Sequence, residues 1–249
     1  MRIALLSDVH GNLPAFRAVL DDVGAAGVDR VWCLGDLVGY GAEPDGCVQL
    51  ARERCDLCLA GNHDLVVTGD INIEDFSRDA AHAALWTREH IAEESLEFLR
   101  GLEPSDAGQA VGLYHASPRD PVWEYVLANW QAGECMDNMP VRVAAVGHSH
   151  VALYFGRDGE EADDNEAVVH GAPAPAGTEL DVSAGQWLLN PGGVGQPRDG
   201  DPRAAWLLLN TETWMASWRR VDYHVEEAAK AIEEAGLPND LGRRLYEGR

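Results

Sequence analysis

The feature that most constrains this chain is a recurrence of five short apolar runs, each followed at once by a residue type that binds metals. The runs are Ile3 to Leu6, Val31 to Leu34, Leu57 to Ala60, Val111 to Tyr114 and Val143 to Val146. Behind them stand Asp8-Val9-His10, Gly35-Asp36, Gly61-Asn62-His63-Asp64, His115 and Gly147-His148-Ser149-His150. Apolar runs of this length, bounded by turn residues, read as buried strands. In an open α/β sheet, ligands gather in the crevice beyond the carboxyl ends of the strands. Asp8, His10, Asp36, Asn62, His115, His148 and His150, all with nitrogen or oxygen donors, are therefore expected to converge on one edge. The expected result is a metal site built from strand-end loops.

The segments between the runs support this layout. A helix is expected from Leu13 to Val23, a second from Pro44 to Arg54, and a longer one from Ser77 to Leu102, stopped by Pro104. Alternation of strand and helix implies a parallel sheet with crossover helices. Residues 122–139 read as helical or irregular. Beyond His150 the pattern changes to strands at 152–155, 166–170, 179–182, 186–189, 204–209 and 213–221. Turns rich in Gly and Pro separate them, as in Gly171-Ala172-Pro173-Ala174-Pro175. A second sheet packed on the first, with helices outside, is the expected arrangement, and one domain over residues 1–249 is the expected organisation.

Composition excludes several classes. No apolar stretch approaches the roughly 20 residues of a membrane helix, and the amino-terminal run before Asp8 is too short for a signal-peptide core, so a cytoplasmic protein is expected. Five cysteines without framework spacing argue against a disulfide-stapled fold. Cys55 and Cys58 read as residues of one strand, pointing to opposite faces and unable to share a metal. A net charge of −23, with Lys230 the sole lysine, repels polyanions, so no extended nucleic acid is expected as a partner. The densest charge run, Asp158 to Glu166, is itself acidic.

The donor set indicates its chemistry. Asp8 and Asp36 are anionic, whereas Asn62 and the imidazoles are neutral when bound, so two divalent cations would leave the site net positive. Such a pair attracts an anionic ester and favours attack by a metal-bound hydroxide, which makes phosphoester hydrolysis the expected reaction. Asp36, a carboxylate able to bridge, is the choice for the shared ligand. Mixed nitrogen and oxygen donors without thiolate suit Mn, Fe, Ni, Co or Zn.

In this order, with a histidine between the last two, the motifs Asp8-x-His10, Gly35-Asp36, Gly61-Asn62-His63-Asp64 and Gly147-His148-x-His150 resemble the calcineurin-like metallophosphoesterase superfamily. The stretch Leu189-Asn190-Pro191-Gly192-Gly193-Val194-Gly195-Gln196-Pro197-Arg198, continuing to Arg203, is similar to the signature loop of its prokaryotic phosphoesterase branch. The resemblance implies a four-layer α/β/β/α sandwich of two packed mixed sheets with outer helices. It places Asp8, His10, Asp36 and His150 on one metal, and Asp36, Asn62, His115 and His148 on the other. It makes His63 a catalytic histidine that meets the phosphate or leaving oxygen without binding metal. Protein-phosphatase members carry Asp-Arg after the second motif; here Asp36 is followed by Leu37-Val38-Gly39, which removes the usual acidic partner of that histidine. Asp64 is left either to replace it or to tie down the loop.

Other residues stand at the margin of this reading. Arg119, four residues after His115, could grip phosphate through its fork or pair with a nearby acid. Tyr40 could stack on a substrate ring or cover the mouth. Arg198 and Arg203, amid aspartates, read as structural ion pairs, His82 and His90 as surface residues, and Trp214 and Trp218 as core on one face of a strand. The expected substrate is a small phosphate ester. The alternatives are a metal-dependent nuclease, against which the acidity argues, and a non-catalytic scaffold, against which the complete ligand set argues.

Overall fold

The first strand, β1 (Arg2–Leu6), decides the layering, because side chains alternate across a strand. Ile3 and Leu5 enter one apolar cluster with Leu113, Val143, Leu189, Leu207 and Trp218, while Ala4 and Leu6 enter another with Phe16, Val19 and Leu20. The first cluster lies between two sheets. The second lies between a sheet and its helices.

The computed structural model describes residues 1–157 and 168–249, so the acidic run from Asp158 to Glu166 lies outside the described residues. After β1 come α1 (Leu13–Ala26), β2 (Arg30–Cys33), α2 (Pro44–Arg54), β3 (Leu57–Cys58) and α3 (Asn62–Thr68). Next are α4 (Arg78–His90), α5 (Glu93–Arg100), β4 (Ser105–Asp106), β5 (Gly112–Tyr114), α6 (Asn129–Met136) and β6 (Val143–Ala145). The strand-rich part follows with β7 (Leu153–Arg157), β8 (Val169–Pro173), β9 (Glu179–Asp181), β10 (Gln186–Asn190), β11 (Ala204–Asn210) and β12 (Met215–Val221). Two helices, α7 (Val225–Glu234) and α8 (Asn239–Glu247), end the described chain.

The strands form two six-stranded sheets, ordered β3-β2-β1-β11-β12-β9 and β4-β5-β6-β10-β7-β8. Both are mixed. In the first, β1, β2 and β3 run parallel; in the second, β5, β6 and β10 do. Each strand that carries a motif thus ends at the same edge as its parallel neighbours. Helices cover both outer faces: α1 and α2 pack on the first sheet, and α6 packs through Ala132, Cys135 and Met136 on Tyr114, Ala144 and Leu188 of the second. This is the α/β/β/α order expected from the sequence. No helix among the described residues is long and apolar enough to cross a membrane.

Helix α1 illustrates how local sequence fixes an element. Asn12 caps it by accepting the Ala15 N–H at 3.1 Å, proline stands in its first turn, and Gly27 ends it in the left-handed region at φ 66°. The long helix expected from Ser77 to Leu102 is instead two helices. Ile91 and Ala92 adopt extended backbone, and the Asp45 carboxylate accepts the Ala92 N–H at 3.0 Å, drawing that donor out of a helical ladder. Three other expectations are corrected. Residues 171–173 belong to β8, an edge strand where Pro173 costs no ladder bond. Trp214 lies just before β12 at φ 55°, with the Arg142 guanidinium 4.6 Å from its ring; it packs, half-buried, on the same apolar cluster as Trp218, so its place in the core holds while its place on a strand face does not. Cys55 caps the end of α2 while Cys58 lies in β3, so the two are not residues of one strand. All five cysteines are free.

Trp218 joins the layers, filling the space between the sheets and donating its indole N–H to the Asn190 carbonyl at 2.8 Å. Trp218→Ala should lower unfolding free energy by about 3–5 kcal/mol, the usual cost of an aromatic cavity, measured by urea titration. A loss below about 1 kcal/mol would mean that the inter-sheet core does not depend on this side chain.

Candidate metal centre

The motif loops are held in an uncommon backbone conformation. Asp8 (φ 58°), His10 (50°), Asp36 (54°), His148 (61°) and His150 (58°) all occupy the left-handed region. For residues with a Cβ this costs of order 1 kcal/mol each and persists only where the surroundings impose it. Bonds between loops impose it here. Asp8 N–H donates to Gly35 O (3.1 Å), His10 N–H to Asp36 O (2.8 Å), Gly147 N–H to His115 O (2.7 Å) and Gly195 N–H to Asp8 O (2.8 Å). Asn190 adds a side-chain clasp, donating to Gly147 O at 2.8 Å and Ser149 Oγ at 3.0 Å. Two glycines allow the closest approaches. A Cβ on Gly61 would lie 2.0 Å from Asp36 Oδ1, and one on Gly147 would lie 1.9 Å from Ser7 Oγ.

Asp64 belongs to this scaffold. Its carboxylate accepts from the backbone N–H groups of Gly61 (2.9 Å), Val38 (3.1 Å) and Leu37 (3.2 Å), tying the second motif loop to the third. Of its two possible uses, the structure shows the tie.

Two groups of donors result. Asp8, His10, Asp36 and His150 form one and Asp36, His115 and His148 the other, with donor atoms in each group within 4.8 Å of one another. Asp36 is common to both. Asn62 Oδ1 joins the second group, 3.2 Å from His115 Nε2. All seven side chains expected to converge therefore do so, and all are buried.

The proton positions follow from the partners. Nδ1 of His10 donates to Val38 O (3.1 Å), that of His115 to Leu34 O (2.8 Å) and that of His150 to Gln196 O (2.6 Å). Nε2 of His148 is buried with no partner among the described residues. In a neutral imidazole the other nitrogen then carries a lone pair. His10 Nε2 nevertheless faces His150 Nε2 at 3.1 Å, and His115 Nε2 faces Asn62 Oδ1 at 3.2 Å. Lone pairs do not bond one another. A cation between them reconciles both contacts, with backbone carbonyls orienting the rings in the manner of metal-ligating histidines.

The carboxylates lead to the same conclusion. Both Asp8 oxygens and Asp36 Oδ2 are buried without a hydrogen-bond partner. Burial pushes the Asp8 carboxyl up to about 7. Burial, and then the charge of Asp64, raise Asp36 well above the carboxylate range. The imidazoles of His10, His148 and His150 are held well below their usual value, again chiefly by burial. Neutral imidazoles beside buried carboxylates that lack a counter-charge fit a metal, which keeps the carboxylates ionised and satisfies their orphaned oxygens.

His63 lies outside both donor groups. Its backbone N–H donates to Asp36 Oδ1 at 2.8 Å, and its ring rests 4.4 Å from Tyr40 and 5.0 Å from Phe76, edge-on to the latter. Packing, and not an acid, orients it: Nδ1 is buried and unpartnered, and Gly39 must lack a Cβ, which would otherwise sit 2.4 Å from that atom. Tyr40 is half-buried and lies 4.7 Å from the His10 ring. Arg119 is paired with Glu134 and, at 3.7 Å, with Glu124, so a phosphate there would compete with two carboxylates. His82 and His90 are exposed, as expected.

The two marginal arginines of the glycine-rich loop part company. Arg203 pairs with Asp201 at 2.6 Å. Arg198 has no acidic partner among the described residues; it donates to Gln196 Oε1 at 3.0 Å and lies 5.6 Å from the Tyr40 ring centre. Sequence reasoning assigned it to a structural pair, and also missed Tyr125, stacked on His148 at 4.1 Å, and Phe76. Neighbouring aspartates along the chain gave no sign of which arginine they would engage.

Comparison with known proteins points to one family. Residues 1–213 match the calcineurin-like phosphoesterase superfamily domain. An uncharacterized protein of Methanocaldococcus jannaschii is 36% identical over 99% of this chain and 98% of its own. The crystal structure of a metallophosphoesterase from Sphaerobacter thermophilus superposes with a TM-score of 0.87 at 38% identity, covering 100% of this chain and 99% of that one. A hypothetical protein from Pyrococcus horikoshii shares the fold, with a TM-score of 0.77 at 17% identity over 100% and 98% of the two chains.

A buried donor set of this kind should couple metal to stability. Restoring Mn²⁺ to chelated protein should raise its melting temperature in calorimetry, the gain reaching about 2.7 kcal/mol at a hundredfold excess over Kd. Asp8→Asn combined with Asp36→Asn should abolish the rise. A wild-type melting temperature indifferent to every divalent cation would remove the metal from this account.

Proposed function

The chain belongs to the calcineurin-like phosphoesterase superfamily, whose members are hydrolases acting on phosphoester bonds, and from that premise we propose a dinuclear, metal-dependent phosphoesterase of small phosphate esters. The observation that carries the dinuclear reading is the pair of lone-pair contacts, His10 Nε2 on His150 Nε2 and His115 Nε2 on Asn62 Oδ1, one in each donor group. Asp8, His10, Asp36 and His150 would hold one ion, and Asp36, Asn62, His115 and His148 the other, with Asp36 shared. When bound, two divalent cations supply positive charge against the phosphoryl oxygens and activate water near neutral pH.

The remaining work falls to the chain. The inter-loop bonds keep the donors in place before any ligand arrives, so little reorganisation is needed on binding. His63, fixed beside Asp36 by its own backbone N–H and walled by Tyr40 and Phe76, meets the phosphate or the leaving oxygen; burial, and then the charge of Arg198, hold its imidazole well below the usual value, so in its neutral form it offers a ring N–H as a hydrogen-bond donor. Tyr40 covers the mouth and offers its ring to the organic part of the ester. Small esters are favoured over polymers because a surface of −23 repels a long polyanion and provides no basic track for it. The free cysteines suit the reducing cytoplasm.

Metal content tests the bridging assignment. Asp36→Asn should lower both equivalents in elemental analysis, whereas His10→Ala should lower mainly one. Two equivalents retained by Asp36→Asn, with normal activity, would reject it.

His63→Asn should leave metal content nearly intact and reduce kcat on p-nitrophenyl phosphate by about 10²- to 10⁴-fold, the usual span for a positioned acid or base. Loss of metal would instead place His63 among the ligands, and full activity would make it structural. A panel of p-nitrophenyl phosphate, its bis-ester, nucleotides and duplex DNA with added manganese tests substrate size. Cleavage of duplex together with inactivity on every small ester would replace this reading with a nuclease.

A further inference from the structure

A cavity of about 560 Å³ adjoins the candidate metal centre, and its lining is basic in an otherwise acidic protein. Arg198, Arg243, Arg244 and Arg249 reach it, and Tyr40 and Tyr125 flank it. Asp240, the one acid among its lining residues, is bound to Arg243 and, at 3.2 Å, to Arg244; Arg249 pairs with Glu247. Four guanidinium groups thus face two carboxylates, and the excess is concentrated at Arg198. Among the described residues that side chain has no acidic partner; it donates to Gln196 Oε1 at 3.0 Å, and its Nε is buried without a partner. Ion pairs within α8 account for Arg243 and Arg244 as surface residues, but they do not account for a guanidinium left without an acid in a chain of net charge −23.

The tyrosines link this cavity to the donors. The ring of Tyr40 lies 5.6 Å from Arg198 on one side, and 4.7 Å from His10 and 4.4 Å from His63 on the other. Tyr125, 44% exposed, stacks on His148 of the second donor group. A molecule lying between these rings would have one end at the metal-site residues and the other at the arginines. The volume is that of a pocket for a small organic ligand. Planar guanidinium forks match phosphate oxygens with paired hydrogen bonds.

We propose that this cavity is a second anion site, and that the substrate is an organic molecule bearing two phosphate groups. One phosphate lies at the metal centre, the organic body passes between Tyr40 and Tyr125, and the far phosphate is held by Arg198 with Arg243 and Arg244. The proposal rests on the phosphoesterase reading and deepens it by naming the substrate class. The arginines take no part in bond breaking; they recognise the group that is not cleaved.

The test compares matched competitors of p-nitrophenyl phosphate hydrolysis by the metal-loaded enzyme: adenosine 5′-monophosphate with adenosine 3′,5′-bisphosphate, and fructose 6-phosphate with fructose 1,6-bisphosphate. In at least one pair the bisphosphate should show an inhibition constant about tenfold lower, as paired charge-assisted bonds to a second phosphate would give. That advantage should shrink in Arg243→Gln combined with Arg244→Gln, on side chains 63% and 36% exposed that the fold can spare, and vanish in Arg198→Gln. It should also weaken as salt is raised. Equal inhibition by mono- and bisphosphates in both pairs, or an advantage unchanged in the variants, would overturn the proposal. Calorimetric titration of inorganic tripolyphosphate into the protein as purified, wild type against the double variant, reads the cavity without turnover. If no ester is hydrolysed while tripolyphosphate binding depends on these arginines, the phosphoesterase reading fails and the anion site stands. Hydrolysis with tripolyphosphate binding that ignores the arginines sinks the anion site alone.

Discussion

The imidazoles of His10, His115 and His150 give their Nδ1 protons to the carbonyls of Val38, Leu34 and Gln196, and the centre depends on that commitment. Each ring is thereby fixed in plane and tautomer, and each Nε2 lone pair is turned inward toward the others. Leu34 and Val38 lie on the loop after β2 and Gln196 on the loop after β10, so ring orientation holds only while those two loops keep their relative positions. Left-handed backbone at Asp8, His10, Asp36, His148 and His150 is the cost of that arrangement. The bonds that repay it cross from loop to loop, and from one sheet to the other through Gly195 and Asp8.

The two sheets make this possible because their parallel strands end together. β1, β2 and β3 deliver Asp8, Asp36 and Asn62 from one side; β5 and β6 deliver His115, His148 and His150 from the other. The apolar cluster between the sheets sets their separation, and with it the 3.1 Å between His10 and His150. Trp218 and Asn190 connect the two levels. The indole bonds to the Asn190 carbonyl, and the Asn190 side chain clasps the loop that carries His148 and His150. Core packing and donor geometry are therefore one problem in this fold.

Charge is distributed against the average. The chain as a whole is strongly acidic, yet beside the donor groups stands Arg198, without an acid among the described residues, and beyond it three more arginines line a cavity. Such a local reversal steers compact anions to one place while the remaining surface repels extended ones. Arg119, by contrast, stands four residues beyond His115 in the chain but is paired with Glu134 and Glu124.

The sequence by itself determined most of the strands, the layer order and the set of converging donors, but not β4 or the extent of β8. Each donor follows directly on an apolar run, and a strand's end is a local property whose position in a parallel sheet is set by topology. Tertiary structure decided whatever depended on partners distant in the chain. Asp45 breaks the long helix at Ala92, 47 residues away, and Asp64 ties Leu37 and Val38 across 27 and 26 residues. The same holds for Arg198 and Arg203, which share one loop and the same aspartate-rich neighbourhood. Which of them is neutralised depends on where Asp199 and Asp201 point once folded: Asp201 turns to Arg203, Asp199 is taken by Arg220 of β12, and Arg198 has no acidic partner among the described residues. Side-chain pairing of this kind is set by three-dimensional proximity, and spacing along the chain carries no record of it.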